Sequence, residues 1–439
     1  MNVGFAKLDI TPPLGVILNG YYKERYADHV IEPLYVTATA YSDGERTVLA
    51  VSLDISEILQ KDMDELRTWV SNRTGVPFEA IFLACIHTHT APVISEIRTF
   101  FLRDPDYYAK FRETICECAA LALKDLRPAL ASVGEAEAKG ISFIRRFRMK
   151  DGSVKTNPSI KMAGEIVSPM GTPDETVRFL KLERENAPTV LVVQFATHPD
   201  VLGGTGICPD WPGYLRDTLE RALADEADGQ GVRVAVFNGA EGDVNHLSPF
   251  ASARYRGVAH SRHMGRVIAG AVLSRYTFAA PITTDRVFFE ERMAEVRVAK
   301  GSDAEVKIAK EIHEAYVRGE DTSGYPFDIV MARKFLRLEE SGETVPLRVS
   351  AIGFGEFAFL GLPGEPFTAL GREIREASPF RMTFVCCNAN GSEGYFPTDD
   401  ALQSTSYEAK SSLFLPGVAP TLVETAVTLL QGNPPRKII

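Results

Sequence analysis

The chain repeats one pattern, in which a run of mostly apolar residues ends in a polar turn. Residues 80–86 form such a run and are followed directly by His87, and residues 189–197 lead into His198. Runs of this length that contain β-branched and aromatic residues are typical of buried β-strands. Further runs of this kind are residues 47–53, 232–237, 355–360 and 382–386.

Stretches with helical signals separate these runs. Residues 106–126 form one such stretch and end before Pro128, and residues 213–227 form another. The alternation of strands and helices predicts an α/β fold, with largely buried mixed or parallel sheets and helices on both faces. Ligands in such folds bind outside the carboxyl ends of the strands, so we expect a polar site at the C-terminal ends of the strands.

The pattern of apolar and polar residues changes near residue 281. Residues 287–298 alternate like a partly exposed strand, and residues 302–319 predict a charged amphipathic helix. The pattern indicates two lobes, residues 1–280 and 281–439, with the site between them. No linker rich in Gly, Ser or Pro separates the lobes, so we expect a single catalytic unit over residues 1–439.

Charge, hydropathy and cysteine content narrow the class of protein. The net charge of −10 argues against nucleic acid as a partner. No apolar stretch reaches the roughly 20 residues that a membrane-spanning helix needs, so no transmembrane segment is expected. The start of the chain lacks the pattern of a signal peptide, and six scattered cysteines favour a reducing, cytoplasmic setting. The sequence leaves the oligomeric state open.

Three of the apolar runs are followed by side chains that bind metals. His87, His198 and Glu365 offer two imidazoles and a carboxylate, a ligand set found in zinc hydrolases. The alternative is that the histidines only cap strand ends and bond to backbone carbonyl groups. The direction of the His89 side chain depends on the local backbone. If the strand continues, His89 points to the opposite face from His87; if the chain turns, His89 comes close enough to the site to carry protons.

The polar turn at residues 238–245 allows two interpretations. Its glycines let backbone amides converge, and Asp243 offers a carboxylate that could orient or bind a ligand. The turn lacks the lysine and the Ser/Thr of a phosphate-binding loop. A tight connection between a strand and a helix is the structural alternative.

The sequence resembles the catalytic domain of the neutral, non-lysosomal ceramidase family. The matching segments occur in the family's order across nearly the whole chain. They are GFAKLDITPP at residues 4–13, IHTHTAP at 86–92, FATHP at 195–199, NGAEGDVN at 238–245, LPGE at 362–365, YFPT at 395–398 and SYE at 406–408.

The resemblance implies a zinc site and a set of assisting side chains. The implied zinc ligands are His87, His198, Glu365 and Tyr395. The resemblance further implies that His89 and Tyr407 assist the chemistry. A family arginine corresponds to Arg145 or Arg146, and the sequence does not choose between the two.

One departure from the family limits the mechanism. Asn245 stands where the family has a serine that could act as a nucleophile, so attack by zinc-activated water is the mechanism that remains. The expected reaction is hydrolysis of a non-peptide amide, an N-acyl bond, in a small acyl substrate. The alternatives are a zinc esterase or lactonase that acts on a polar, sugar-like acyl compound, and a metal-binding homologue without catalysis.

Overall fold

Two β-sheets dominate the molecule. The computed structural model describes residues 1–96, 101–252 and 255–435. The first sheet contains β1 (Asn2–Asp9), β2 (Tyr35–Ser42), β3 (Thr47–Leu53), β4 (Ile81–Cys85), β5 (Arg127–Glu137), β6 (Thr176–Arg184), β7 (Thr189–Phe195) and β8 (Val232–Asn238). Hydrogen-bonded neighbours follow the order β8-β7-β6-β5-β1-β2-β3-β4, and the short strand Ala280–Pro281 pairs with β5.

The second sheet is smaller and lies later in the chain. Its strands are β9 (Val287–Arg297), β10 (Thr344–Phe354), β11 (Phe357–Gly361) and β12 (Met382–Cys386), paired in that order. Three two-stranded ladders join His29–Val30 to Gly206–Ile207, Phe143–Ile144 to Val244–Asn245, and Glu365–Pro366 to Tyr395–Phe396. A three-stranded sheet has Arg146–Met149 at its centre, between Val154–Thr156 and Ile166–Pro169.

Helices fill the connections between strands. They are α1 (Gln60–Thr74), α2 (Pro105–Lys124), α3 (Trp211–Ala222), α4 (Val258–Arg275), α5 (Asp303–Val317), α6 (Ile329–Leu338), α7 (Thr368–Ala377), α8 (Asp399–Leu402), α9 (Tyr407–Ser411) and α10 (Val418–Gln431). Short helical turns are Phe78–Ala80, Ile160–Glu165, Glu226–Gly229 and Tyr276–Phe278.

Local signals explain where several helices begin and end. Asp104 accepts a hydrogen bond from the Tyr107 N–H at the start of α2, and Ser302 forms a capping box with Glu305 at the start of α5. Gly75 ends α1 in the left-handed conformation, which glycine adopts without steric cost. The predicted α/β fold is confirmed.

The sheets are mixed, and their parallel pairs have particular places. Among the described residues, β3 with β4 and β7 with β8 are the parallel pairs of the first sheet, and β11 with β12 is the parallel pair of the second. The two pairs of the first sheet lie at opposite ends of its hydrogen-bonded order. The remaining neighbours in both sheets are antiparallel, so the sheets are less parallel than the apolar runs alone suggest.

Both faces of the first sheet are buried. Val190 and Val192 of β7 join a core cluster that also contains residues of α1, α2 and the second sheet. Leu191 and Val193 point the other way and join a cluster with α3 and α4. This alternation follows from the two-residue period of a strand, and it places helices on both faces of the sheet.

Hydrogen bonds draw the carboxyl ends of three strands together. The Asn238 side-chain amide donates to the Ile86 carbonyl oxygen at 3.0 Å, which joins the end of β8 to the end of β4. The Cys85 N–H donates to the Asn388 carbonyl oxygen at 3.1 Å and ties β4 to the segment after β12. The turns that follow these strands therefore meet in one region. In the described part of the chain, no helix has the length and apolar character to cross a membrane.

Candidate metal centre

His87 lies in a sharp turn just after β4. Its φ of 74° is in the left-handed region, so the chain leaves the strand direction at this residue. Its Nδ1 lies 2.9 Å from the Ser56 carbonyl oxygen and donates to it. With Nδ1 engaged in this way, Nε2 is the nitrogen that a metal would bind once it has lost its proton.

The turn also brings His89 back to the same region. His89 Nε2 lies 3.4 Å from His87 Nε2, so the chain turns here and the strand does not continue. Gly20 makes this position possible, because a Cβ at residue 20 would lie 2.6 Å from Cγ of His89. Gly20 also has a φ of 101°, which favours glycine.

His198 follows β7, and Glu241 holds its ring through Nδ1. Its Nδ1 lies 3.1 Å from the Glu241 carbonyl oxygen and 2.6 Å from the Glu241 carboxylate. The Nε2 atom therefore faces away from Glu241, and it lies 3.2 Å from Oε2 of Glu365. In both His87 and His198, Nδ1 contacts a backbone carbonyl oxygen and Nε2 lies near Glu365, so the contact with a carbonyl group does not exclude a place in a common site.

Glu365 and Tyr395 are fixed beside each other by a short parallel ladder. The two residues are register partners between Glu365–Pro366 and Tyr395–Phe396. The Tyr395 hydroxyl lies 3.3 Å from His198 Nε2, and Glu365 Oε2 lies 3.5 Å from His87 Nε2. The structure thus brings together the four side chains that the family resemblance implies as ligands.

The spacing of these atoms fits a small divalent cation. Four ligands at 2.0–2.1 Å from a tetrahedral ion lie about 3.3 Å from one another. The separations of 3.2, 3.3 and 3.5 Å around Glu365 Oε2 and His198 Nε2 match this value. Glu365 Oε2 is buried and accepts no hydrogen bond from the residues that the structure describes, so a cation would satisfy it.

Glu241 is a member of the cluster that the sequence patterns did not predict. Atoms of His87, His198, Glu241 and Glu365 lie within 4.8 Å of one another, and His87, His89 and His198 form a second, overlapping group. Glu241 follows β8 as His198 follows β7, so the same strand-end pattern was available to find it. Gly242 lets this turn approach the Glu365 strand, since a Cβ there would lie 2.4 Å from the Glu365 carbonyl oxygen.

The carboxylates control protonation in the cluster. Burial would lower the pKa of His87, but Glu365 and Glu241 outweigh it and raise the pKa to about 10. Burial is likewise outweighed at His198, where Glu241 raises the pKa to about 9. The two histidines in turn hold the pKa of Glu365 well below its usual value despite burial. Burial and the neighbouring His87 lower the pKa of His89, which keeps this imidazole neutral.

The structure distinguishes the two candidate arginines. The Arg145 guanidinium lies 5.2 Å from the Tyr395 ring centre and 6.0 Å from that of Tyr407. Arg146 lies over Phe367 instead, at 5.1 Å. Arg145 is therefore the arginine that faces the cluster. Both contact Glu408, Arg145 at 2.7 Å and Arg146 at 3.8 Å.

Tyr407 stands at the start of α9 with its hydroxyl toward the cluster. Ser406 caps this short helix, and the Tyr407 N–H donates to Thr156 Oγ1 at 3.1 Å. The Tyr407 and Tyr22 hydroxyl groups lie 3.0 Å apart. Burial raises the pKa of Tyr407 well above its usual value, so its phenol is a hydrogen-bond donor at neutral pH.

Two residues of the turn at 238–245 have structural contacts. The Asp243 carboxylate accepts a 2.7 Å hydrogen bond from the Thr368 N–H and so caps α7. The Asn245 side-chain amide donates to Asn157 Oδ1 at 3.0 Å. The turn is not a tight connection to a helix, because it leads into the short strand Val244–Asn245 and α4 begins only at Val258. Asp243 and Asn245 have structural contacts, while Glu241 reaches the cluster.

The cluster opens into a cavity of about 180 Å³. Residues of the cluster form part of its lining, and α6 forms another part. The lining includes His87, His89, Glu365, Tyr395, Tyr407, Tyr22, Glu57, Arg333, Lys334 and Arg337.

This arrangement defines a mixed α/β protein with a candidate metal centre between strand ends. Two solved structures share the fold. A neutral ceramidase from Pseudomonas aeruginosa superposes with a TM-score of 0.75 and 17% identity, over 99% of this chain and 75% of that one. A ceramidase complexed with C2 gives a TM-score of 0.74 and 16% identity, over 99% and 76%. No protein-family model and no curated protein sequence matches the chain. The chain thus has a ceramidase-like fold.

Proposed function

We propose that this chain is a zinc-dependent hydrolase that cleaves a non-peptide amide, an N-acyl bond, in a small molecule. The observation that carries the proposal is the approach of two imidazoles to one buried carboxylate oxygen. His87 Nε2 and His198 Nε2 lie 3.5 and 3.2 Å from Glu365 Oε2. The ceramidase-like fold supports an amide as the bond, because a ceramide is an N-acyl amine.

His87, His198, Glu365 and Tyr395 would hold the ion. When bound, such an ion supplies Lewis-acid polarisation of a carbonyl group and lowers the pKa of water. Glu241 positions His198, because its carbonyl oxygen and carboxylate both lie close to Nδ1 of that ring. A partner of this kind fixes the tautomer and the orientation of a ligating imidazole.

The remaining side chains would move protons and stabilise charge. His89 is neutral and close to His87, so it can accept a proton from the attacking water and return it to the leaving amine. The Tyr407 hydroxyl and the Arg145 guanidinium would stabilise the negative charge that develops on the carbonyl oxygen of the substrate. One such donor contributes about 3–4 kcal/mol in enzymes where it has been removed.

The test compares an amide with its matched ester. Purified, zinc-loaded protein is assayed with N-acyl amines, a ceramide among them, and with esters of the same acyl chains. We expect hydrolysis of at least one N-acyl amine, and loss of that activity in His198→Ala. Turnover of esters alone would replace the proposal with the esterase alternative, and activity that survives in His198→Ala would remove the metal centre from the reaction.

A further inference from the structure

One wall of the cavity comes from α6 and carries positive charge. Arg333, Lys334 and Arg337 of this helix line the same cavity as His87 and Glu365. Residues one turn apart on a helix share a face, which explains how Arg333 and Arg337 reach the cavity together. The proposed hydrolytic reaction does not use any of these three cations.

The two arginines are held in place by other contacts. Arg337 Nη2 donates to the Glu393 carboxylate at 2.7 Å. Arg333 Nη2 donates to the Tyr22 carbonyl oxygen at 3.0 Å, and its guanidinium lies 5.2 Å from the centre of the Tyr22 ring. Since the Tyr22 hydroxyl contacts Tyr407, Arg333 ties the cationic wall to the candidate catalytic residues.

Lys334 differs from Arg337, which pairs with Glu393, because the described residues offer Lys334 no anionic partner. No carboxylate oxygen of the described residues lies within 4.0 Å of its ammonium group. Carboxylates on and beside α6 are taken by other cations. Asp328 pairs with Lys410 at 3.2 Å, Glu339 pairs with Lys310 at 2.8 Å, and Glu393 pairs with Arg337.

The carboxylates of the cavity itself are also engaged. Glu57 accepts a hydrogen bond from the Asn19 side chain at 3.1 Å, and Glu365 faces His87 and His198. The Lys334 side chain is half-buried, and burial lowers its pKa to about 8. A partly desolvated ammonium group without a counter-ion is unfavourable, and a bound anion would relieve this cost.

We propose that Lys334, flanked by Arg333 and Arg337, binds an anionic group of the substrate. The inference rests on the proposed hydrolase function and adds to it the substrate class: an acyl compound that carries a carboxylate or another small anion. Lysine suits such a group as a point charge with three hydrogen-bond donors. A neutral lipid amide has no group that would use this wall.

The test uses substrate pairs that differ only in charge. N-acylglycine and N-acylglycinamide place the difference on the amine side, and an N-succinyl amine and its methyl ester place it on the acyl side. We expect the wild-type protein to prefer the anionic member of at least one pair by about tenfold or more in kcat/KM, because a hydrogen bond to a charged group contributes on that scale.

Variants assign the preference to Lys334. Lys334→Met should reduce the preference about tenfold, mainly through KM, and Lys334→Arg should retain most of it. Lys307→Met, which removes an exposed lysine of α5, should leave the preference unchanged. Equal turnover of both members of each pair by the wild-type protein, or an unchanged preference in Lys334→Met, would overturn the proposal.

A second measurement separates this proposal from the hydrolase proposal. Lys334 is labelled at pH 8 with an amine-reactive reagent and followed by mass spectrometry, with Lys310 as the internal reference. We expect an anionic substrate to slow labelling of Lys334 and its neutral counterpart to leave it unchanged. Protection without any hydrolysis would support the anion site and contradict the hydrolase. Hydrolysis of neutral amides, with no protection of Lys334 by the anionic compounds, would support the hydrolase and contradict the anion site.

Discussion

His87 combines an uncommon backbone conformation with a central place in the candidate site. A left-handed φ on a residue with a side chain costs on the order of 1–3 kcal/mol and persists only where other contacts hold it. Here the His87 N–H donates to the Ile55 carbonyl oxygen at 3.0 Å, and Nδ1 donates to Ser56. The turn places His87 and His89 on one side of the chain, so the proposed ligand and the proposed proton carrier lie within one three-residue segment.

His89→Ala tests the division of roles between these two histidines. We expect kcat to fall about 10²- to 10⁴-fold, because a general base is lost, while bound metal stays near the wild-type amount. Steady-state kinetics and elemental analysis of the same preparation give both values. His29→Ala, at an exposed histidine, is the control. Loss of the metal in His89→Ala would make His89 a ligand and contradict the assigned role.

Metal uptake should depend steeply on pH. With pKa values raised to about 10 for His87 and about 9 for His198, both imidazoles carry a second ring proton and a positive charge at pH 7 in the metal-free protein. The ion competes with those protons, so affinity should rise as pH increases and level off above about pH 10.

Calorimetry in two buffers with different ionisation enthalpies measures the protons that metal binding releases. We expect at least one proton per ion at pH 7, and a Kd for the metal that falls as the pH is raised from 6 to 8. A Kd that does not change over this range would show that the imidazoles are already neutral, and the assigned charge state of the cluster would be wrong.

Short elements carry as much of the site as the long strands do. The two-residue ladder between Glu365 and Tyr395 sets these side chains next to each other, and the five-residue helix α9 presents Tyr407 and Glu408. Glu408 is fully buried and pairs with Arg145 at 2.7 Å. It also accepts a hydrogen bond from Thr156 at 2.8 Å, so one carboxylate holds α9 and the arginine together.

Glu408→Gln tests this network. Removing one member of a buried ion pair costs about 3–5 kcal/mol, because the remaining charge is left uncompensated. We expect a loss of that size in the free energy of unfolding, measured with urea, together with lower kcat. Lys410→Gln, on the same helix but in a half-exposed pair with Asp328, should change stability by less than about 1 kcal/mol. Equal losses in the two variants would contradict a special role for Glu408.

Sequence patterns predicted the parts of the site that depend on a single strand. His87, His198 and Glu365 each follow an apolar run, and the structure brings all three together. Tyr395 lies nine residues beyond the end of β12, and its place depends on a long-range ladder that has no sequence period. The resemblance to a family supplied Tyr395 and Tyr407, while the contacts of Arg145 and the place of Glu241 required the folded chain.

At the scale of the whole molecule, the candidate ligands come from both sheets. His87 and His198 follow strands of the first sheet, whereas Glu365 and Tyr395 follow strands of the second. The apolar runs predicted that these sheets exist, but their mixed strand order depends on pairings between distant residues. A bound ion would link segments that are more than 100 residues apart in the sequence.

Removal of the metal should therefore destabilise the protein. A ligand present at about a thousand times its Kd stabilises the folded state by about 4 kcal/mol. We expect a chelator to lower Tm and added zinc to restore it, as measured by calorimetry. The His87→Ala variant is the control, and its Tm should not respond to either treatment. A chelator effect of the same size in that variant would place the stabilising ion elsewhere.

The most direct test of the account is anomalous diffraction at the zinc absorption edge from crystals of the zinc-loaded protein. We expect one strong peak about 2.0–2.2 Å from His87 Nε2, His198 Nε2 and a Glu365 carboxylate oxygen. A zinc peak bound by other residues, with no peak between these three side chains, would contradict it.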